Sequence, residues 1–289
     1  MSKSHPDLTG RICLVTGAST GIGKVTAREL ARMGGTVIMV SRDPGRGQAA
    51  LADVQRATGS QKVSLLLADL SSQQEVRRLA REVQDRVGAL HVLVNNAGAI
   101  YARREVTVDG LERTFATNHL AYFLLTVLLL PLIKRSAPAR IVNVASQAHR
   151  PAVLDLNDLQ LERRYGAMRA YRQSKLANVL FTYELARRLE GSGVTANCLH
   201  PGVVATHFGR NNPGLLSFLF RLASPFLLTP EQGAETVIYL ATSPEVAQVS
   251  GKYFYRCRPI RSSRLSYDET LARRLWEVSE RLTGLAPSA

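Results

Sequence analysis

Short apolar runs alternate with amphipathic stretches along the whole chain. "ICLVTGA" (12–18), "TVIMVS" (36–41), "VSLLLAD" (63–69), "HVLVNNA" (91–97), "RIVNVAS" (140–146), "VTANCLH" (194–200) and "KYFYRC" (252–257) are nearly continuously apolar and rich in β-formers. Strands covered on both faces read this way. Between them lie helical patterns. "KVTARELARMGG" (24–35) ends in a glycine pair, a helix stop, and "SQQEVRRLAREVQDRVG" (72–88) opens with Ser72 and Glu75 at capping-box spacing. Parallel strands need long crossovers. Seven strands separated by helices therefore predict an α/β fold: a doubly wound, seven-stranded parallel sheet with helices on both faces. No linker, repeat or low-complexity segment interrupts the rhythm, so 1–289 reads as a single domain.

Two segments stand apart. "AYFLLTVLLLPLI" (121–133) is the longest apolar run, but it is short for a bilayer and contains Pro131. It predicts a buried core helix, and no membrane span is expected. "VVATHFGRNNPGLLSFLFRLASPFLLTPEQ" (203–232) is a long insertion after the sixth strand. Insertions at the carboxyl end of such a sheet overlie its ligand crevice. Its density of apolar residues, Phe218, Leu219 and Phe220 among them, predicts a lid over a lipophilic substrate; core or subunit packing is the alternative.

Composition narrows the picture further. The 289 residues are 45% hydrophobic and 21% charged, an ordinary globular balance. The net charge is +14, and 31 of the 37 basic side chains are arginines. They are dispersed along helices beside acidic residues, as in "LARRLWEVSERL" (271–282), rather than gathered with aromatics. Solvated helix faces explain them, and no nucleic-acid partner is expected. Cys13, Cys198 and Cys257 sit far apart, without metal-ligand spacing and in odd number. They read as reduced thiols in the cytoplasm. His149, His200 and His207 lack a completing carboxylate or thiol, so no metal is assigned.

Candidate chemistry clusters at the carboxyl ends of the strands. "TGASTGIG" (16–23) joins the first strand to the first helix. Its glycines, Gly17, Gly21 and Gly23, permit a tight turn and close approach of the backbone to a ligand, and a helix N-terminus attracts pyrophosphate. With Ser19, Thr20 and Ile22 they form the candidate dinucleotide turn. The second strand ends in Ser41 and Arg42, where an acidic residue would favour NAD. Arg42, aided by Lys24, can pair with a 2′-phosphate, so NADP(H) is preferred over NAD(H), although Asp43 follows directly. "ADL" (68–70) offers Asp69 and Leu70 to the adenine. "NNAG" (95–98) offers Asn95, Ala97 and Gly98 to the ribose side.

Tyr171 and Lys175 are four residues apart on a helix and so are neighbours. A phenol of pKa about 10 is a poor base near neutrality, and a nearby ammonium favours the phenolate. Ser146, ending the fifth strand, can hydrogen-bond a substrate carbonyl. Tyr-x-x-x-Lys alone is common, and packing with a snorkelling lysine is the ordinary alternative. Tyr165 belongs to no motif and reads as a packing residue.

Together these motifs resemble the short-chain dehydrogenase/reductase family. The likeness runs through T-G-x-x-x-G-I-G at 16–23, N-N-A-G at 95–98, Asn118 in "FATNHLAY", Ser146, Tyr171-x-x-x-Lys175 and Pro201-Gly202. "RIVNVASQAHR" and "AYRQSKLANVLFTYELARRL" are similar to the retinol dehydrogenase-like branch. The resemblance implies a Rossmann fold and a catalytic set of Asn118, Ser146, Tyr171 and Lys175. In it Tyr171 is the general acid/base, Lys175 lowers its pKa and binds the nicotinamide ribose, Ser146 orients the carbonyl, and Asn118 helps hold a relay water. Pro201, Gly202, Val204 and Thr206 match positions near the nicotinamide. The implied activity is hydride transfer between NADP(H) and an apolar aldehyde, ketone or alcohol, and the implied assembly is a homodimer or homotetramer. A double-bond reductase and a non-catalytic dinucleotide sensor or scaffold remain as alternatives.

Overall fold

In the computed structural model, residues 6–203 and 228–286 are described. The strands are β1 (Ile12–Thr16), β2 (Thr36–Ser41), β3 (Val63–Leu67), β4 (Val92–Asn95), β5 (Ala139–Val144), β6 (Val194–Leu199), β7 (Tyr253–Tyr255) and β8 (Arg258–Ile260). They form one sheet in the order β3-β2-β1-β4-β5-β6-β7-β8. The first seven pair in parallel, and β8 returns antiparallel beside β7. The helices are α1 (Gly21–Arg32), α2 (Pro44–Thr58), α3 (Gln73–Arg86), α4 (Arg113–Arg135), α5 (Ala167–Arg188), α6 (Pro230–Thr242) and α7 (Glu269–Leu282).

The sheet therefore has eight strands where seven are expected. The segment read as one strand at 252–257 is β7 followed by a two-residue turn, Arg256–Cys257, with both residues in the left-handed region (φ 47° and 59°). Hairpin turns of that shape normally carry Asn or Gly. Arg-Cys carries no such signal, and Pro259 lies within β8, where only an edge strand accepts it.

Strand side chains alternate between two cores. Leu14, Ile38 and Leu93 join the cluster under α3 and α4, while Cys13, Val15, Val37 and Val94 join the cluster under α1 and α6. Period-two alternation with both faces buried explains the unbroken apolar runs. Each fully buried leucine contributes roughly 1.5–3 kcal/mol relative to exposure. The 23-residue helix α4 is long enough to cross a bilayer, and its most apolar 18-residue stretch has a mean hydropathy of 1.7, yet 78% of that stretch is buried in the domain. The capping box at α3 is half made. Ser72 accepts from the Glu75 N–H, while the Glu75 carboxylate pairs with Arg78 at 2.7 Å.

Candidate active site

The glycine turn is closed so tightly that side chains do not fit. Gly17 has φ +65°, and a Cβ there would lie 2.8 Å from the Ala97 Cα; a Cβ on Gly23 would lie 2.3 Å from the Gly17 carbonyl oxygen. Helix α1 then begins with Thr20 at its N-cap, without a side-chain capping bond and without an acidic residue in its first turn. Ser19, Thr20, Gly21, Ile22 and Gly23 line a cavity of about 680 Å³. First-turn amides with no side-chain acceptor, at the positive end of a helix, suit a diphosphate.

Of the two adjacent asparagines, the one expected to face the ligand does not. Asn95 is fully buried, and its Nδ2 donates to Thr126 Oγ1 at 3.0 Å and to Asn143 Oδ1 at 2.9 Å. The pleat of β4 turns it toward α4, as it does Leu93 two residues earlier. Asn96 is the residue at the crevice, and sequence reasoning passed it over. Its Nδ2 donates to the carbonyls of Thr16 (2.9 Å) and Gly17 (3.2 Å), while Thr16 Oγ1 accepts from the Asn96 and Ala97 amides. Thr16 and Asn96 thereby clasp the ends of β1 and β4 around the turn.

At the end of β2, Arg42 lines the cavity as expected, joined by Arg46. Lys24 does not: its ammonium pairs with Asp53 on α2 at 2.6 Å. Asp43 also lines the cavity, but its carboxylate caps α2 by accepting the Arg46 N–H at 2.8 Å. That hydrogen bond holds the Asp43 carboxyl below its usual pKa. Asp69 and Leu70 line the next wall, with Asp69 Oδ1 accepting from the amide and hydroxyl of Ser71. The acidic-residue signal after β2 was thus local capping, and the arginine one helical turn on supplies the second cation.

Ser146, Tyr171 and Lys175 face the same cavity, with Ala97, Gly98, Pro201 and Gly202. Ser146 Oγ accepts from the Ala148 amide at 3.2 Å and hydrogen-bonds the Tyr171 hydroxyl. Lys175 is 3% exposed, and its Nζ donates to the Val144 carbonyl at 2.8 Å. The ammonium lies 5.8 Å from the ring centre of Tyr171 and 5.6 Å from that of Tyr122. The expected lowering of the tyrosine pKa by the lysine is not what this arrangement gives. Burial pushes Tyr171 up to about 12, opposed by the hydrogen bond from Ser146, and burial pulls Lys175 down to about 7. Burial disfavours the charged form of each group, the phenolate and the ammonium alike.

Asn118 is fully buried in a π-helical turn of α4 (Ala116–Leu120) and does not line the cavity. Its Oδ1 accepts from the Ala99 amide, and its Nδ2 donates to the Ala99 carbonyl and to Ser174 Oγ. Its own carbonyl accepts from Asn178 Nδ2 at 2.8 Å. In this geometry Asn118 braces the strand-end loop. Tyr165 does likewise, donating to the carbonyl of Tyr101, itself a cavity residue. The same cavity is also lined by Ile100, Tyr101, Thr117, Gln147 and Met168, none singled out by sequence, and by Val203, the first residue of the predicted lid. Met168 and Val203 are apolar side chains exposed at 43% and 62%. Val204, Thr206, His207 and the lid residues as far as Leu227 lie outside the described residues. No metal-holding group of His, Cys, Asp or Glu occurs among the described residues.

Comparison with known proteins agrees with this geometry. The short chain dehydrogenase family model matches residues 11–213. Retinol dehydrogenase 12 of Mus musculus is 44% identical, the match covering 98% of this chain and 89% of that protein. Retinol dehydrogenase 13 of Homo sapiens is 45% identical, over 99% and 88%. Among solved structures, an uncharacterized protein from Mycobacterium paratuberculosis superposes with a TM-score of 0.79 at 36% identity, covering 99% of this chain and 98% of that one. The RhlG/NADP active-site complex of Pseudomonas aeruginosa superposes with a TM-score of 0.69 at 32% identity, covering 86% and 96%. The chain belongs to the short-chain dehydrogenase family, in its retinol dehydrogenase-like branch, and is a hydride-transferring oxidoreductase that uses a nicotinamide dinucleotide.

Proposed function

We propose that this enzyme interconverts lipophilic carbonyls and alcohols with NADP(H), and that Tyr171 transfers the proton. The observation that carries the reading is the shared wall: Ser146, Tyr171 and Lys175 line the same cavity as the glycine turn. The hydrogen-bonded hydroxyls of Ser146 and Tyr171 mark one place where a carbonyl oxygen can accept two hydrogen bonds. Ser146 Oγ already accepts from Ala148, which leaves its proton for donation. Tyr171, with a pKa raised to about 12, stays protonated at neutral pH and is a donor for carbonyl reduction. Lys175, tethered to Val144, stabilises the negative charge that appears as that proton leaves. The dinucleotide, when bound, supplies or accepts the hydride.

Arg42 and Arg46 at the adenosine end support NADP(H), because a 2′-phosphate offers them charge-assisted bonds while Asp43 is occupied at its helix. The NADP bound in the Pseudomonas relative supports the same choice. From β2 to β5 the sheet spans about 14 Å, three strand spacings, which separates this cationic end from the Tyr171 end. Ile100, Met168 and Val203 give that second end an apolar mouth, in keeping with relatives named for retinol. The test is NADPH oxidation across aldehydes and ketones of increasing chain length, retinal included. Turnover that rises with chain length supports the reading. No turnover with any carbonyl contradicts it and favours a non-catalytic dinucleotide binder.

A further inference from the structure

Beyond the Ser146–Tyr171–Lys175 wall, a second polar connection reaches the catalytic serine from behind. His149 follows Ser146 by three residues, at the end of a short 3-10 turn (Gln147–His149), and is fully buried. Its Nδ1 lies 2.7 Å from the Ser146 carbonyl oxygen. Its Nε2 accepts the backbone N–H of Ser263 at 3.0 Å, across 114 residues of sequence. A peptide N–H can only donate, so Nε2 carries no proton. The single ring proton is then on Nδ1 and is donated to Ser146. The imidazole is neutral, in one tautomer, and joins the catalytic serine to the segment that follows β8.

The ring's orientation is fixed as well. Tyr253 packs edge-on against His149, with centroids 4.8 Å apart, and stacks on His200 at 5.8 Å. His200 Nδ1 accepts the Gly202 N–H at 3.2 Å, and Gly202 lines the cavity. The two imidazoles thus flank one buried tyrosine, each hydrogen-bonded to the backbone of a cavity residue. Burial holds both below the usual histidine pKa, in agreement with neutral rings.

We infer that His149 is a positioning residue for the proton-transfer site: by donating from Nδ1 to the Ser146 carbonyl, it sets where the Ser146 hydroxyl points. This rests on the role proposed for Ser146. That residue is the N-cap of the 3-10 turn, with its hydroxyl on the Ala148 amide and on Tyr171. A shift of the serine backbone therefore moves the hydroxyl that meets the substrate carbonyl. Misplacement of a reacting group by about 1 Å costs on the order of 100-fold in rate.

Two substitutions separate positioning from simple tethering. In His149→Asn the side-chain amide can stand where Nδ1 was and donate to Ser146, but it loses Ser263. In His149→Gln the carbonyl oxygen can stand where Nε2 was and keep Ser263, but the side-chain donor to Ser146 is lost, and the Ser146 carbonyl keeps only the backbone N–H of residue 149, at 3.2 Å. Both are compared with wild type and Ser146→Ala for kcat on a carbonyl substrate, NADPH affinity and thermal midpoint. The expected result is a kcat loss of roughly 100-fold in His149→Gln, a much smaller loss in His149→Asn, and unchanged NADPH affinity in both. A purely structural histidine predicts the reverse order, because Gln keeps the long-range tether. Equal losses that track the thermal midpoint, or full activity in His149→Gln beside an inactive Ser146→Ala, overturn the inference. Full activity in Ser146→Ala instead overturns the reading of Ser146, and the inference with it.

Discussion

The Asp43 carboxylate accepts the Arg46 N–H at 2.8 Å, and the two side chains approach to 3.5 Å. This one contact decides how the cavity is charged at the end of β2. It commits the acidic residue after β2 to a helix cap and sets Arg46 at the cavity beside Arg42.

Removing either arginine is therefore expected to weaken NADPH far more than NADH. A charge-assisted bond to a phosphate is worth about 1.5–3 kcal/mol, so Arg46→Ala or Arg42→Ala should raise KM for NADPH roughly 10- to 100-fold. KM for NADH should hardly change. Equal effects on the two cofactors would assign both arginines to the solvated surface.

Asn95 and Asn96 are expected to fail differently. Asn95→Ala leaves Asn143 and Thr126 with unmatched buried polar atoms and should cost about 1–3 kcal/mol of stability, without altering dinucleotide affinity. Asn96→Ala frees the Thr16 and Gly17 carbonyls and should loosen the turn, weakening NADPH binding with the smaller loss of stability. Calorimetric binding and thermal unfolding of both variants separate these outcomes. Weaker NADPH binding in Asn95→Ala than in Asn96→Ala would contradict the assignment.

Acid sensitivity follows from two other imidazoles. Burial lowers His119 and His200 to about 4. The unfolded chain binds their protons near pH 6.5, whereas the folded protein does so only near 4. Stability is therefore fully present above about pH 6.5 and falls as pH drops toward 4. Each histidine contributes about 1.4 kcal/mol per pH unit within that window. Denaturant midpoints at pH 7, 6 and 5 measure this, and a flat profile would contradict neutral, buried rings.

Much of the site was legible because its chemistry is local in sequence. The glycine turn needs its residues at fixed offsets after one strand, and Tyr171 and Lys175 need only one helical turn. What was not legible depends on neighbours distant in sequence. Whether Asn95 or Asn96 faces the crevice is set by the pleat of β4 and by Asn143 opposite Asn95 on β5. Lys24 is taken by Asp53, 29 residues away. Arg46 reaches the cavity only because Asp43 starts α2 where it does. The eighth strand was hidden by a hairpin turn built from arginine and cysteine. His149 looked idle because its partner, Ser263, lies on the far side of the chain.

The central claim is that Tyr171 transfers the proton, and Tyr171→Phe tests it most directly. Phenylalanine keeps the ring beside Lys175 and removes only the hydroxyl. Single-turnover reduction of a lipophilic aldehyde should slow by roughly 100- to 10,000-fold, the usual contribution of a positioned acid. NADPH should still bind with wild-type affinity. Wild-type turnover in Tyr171→Phe would contradict the account.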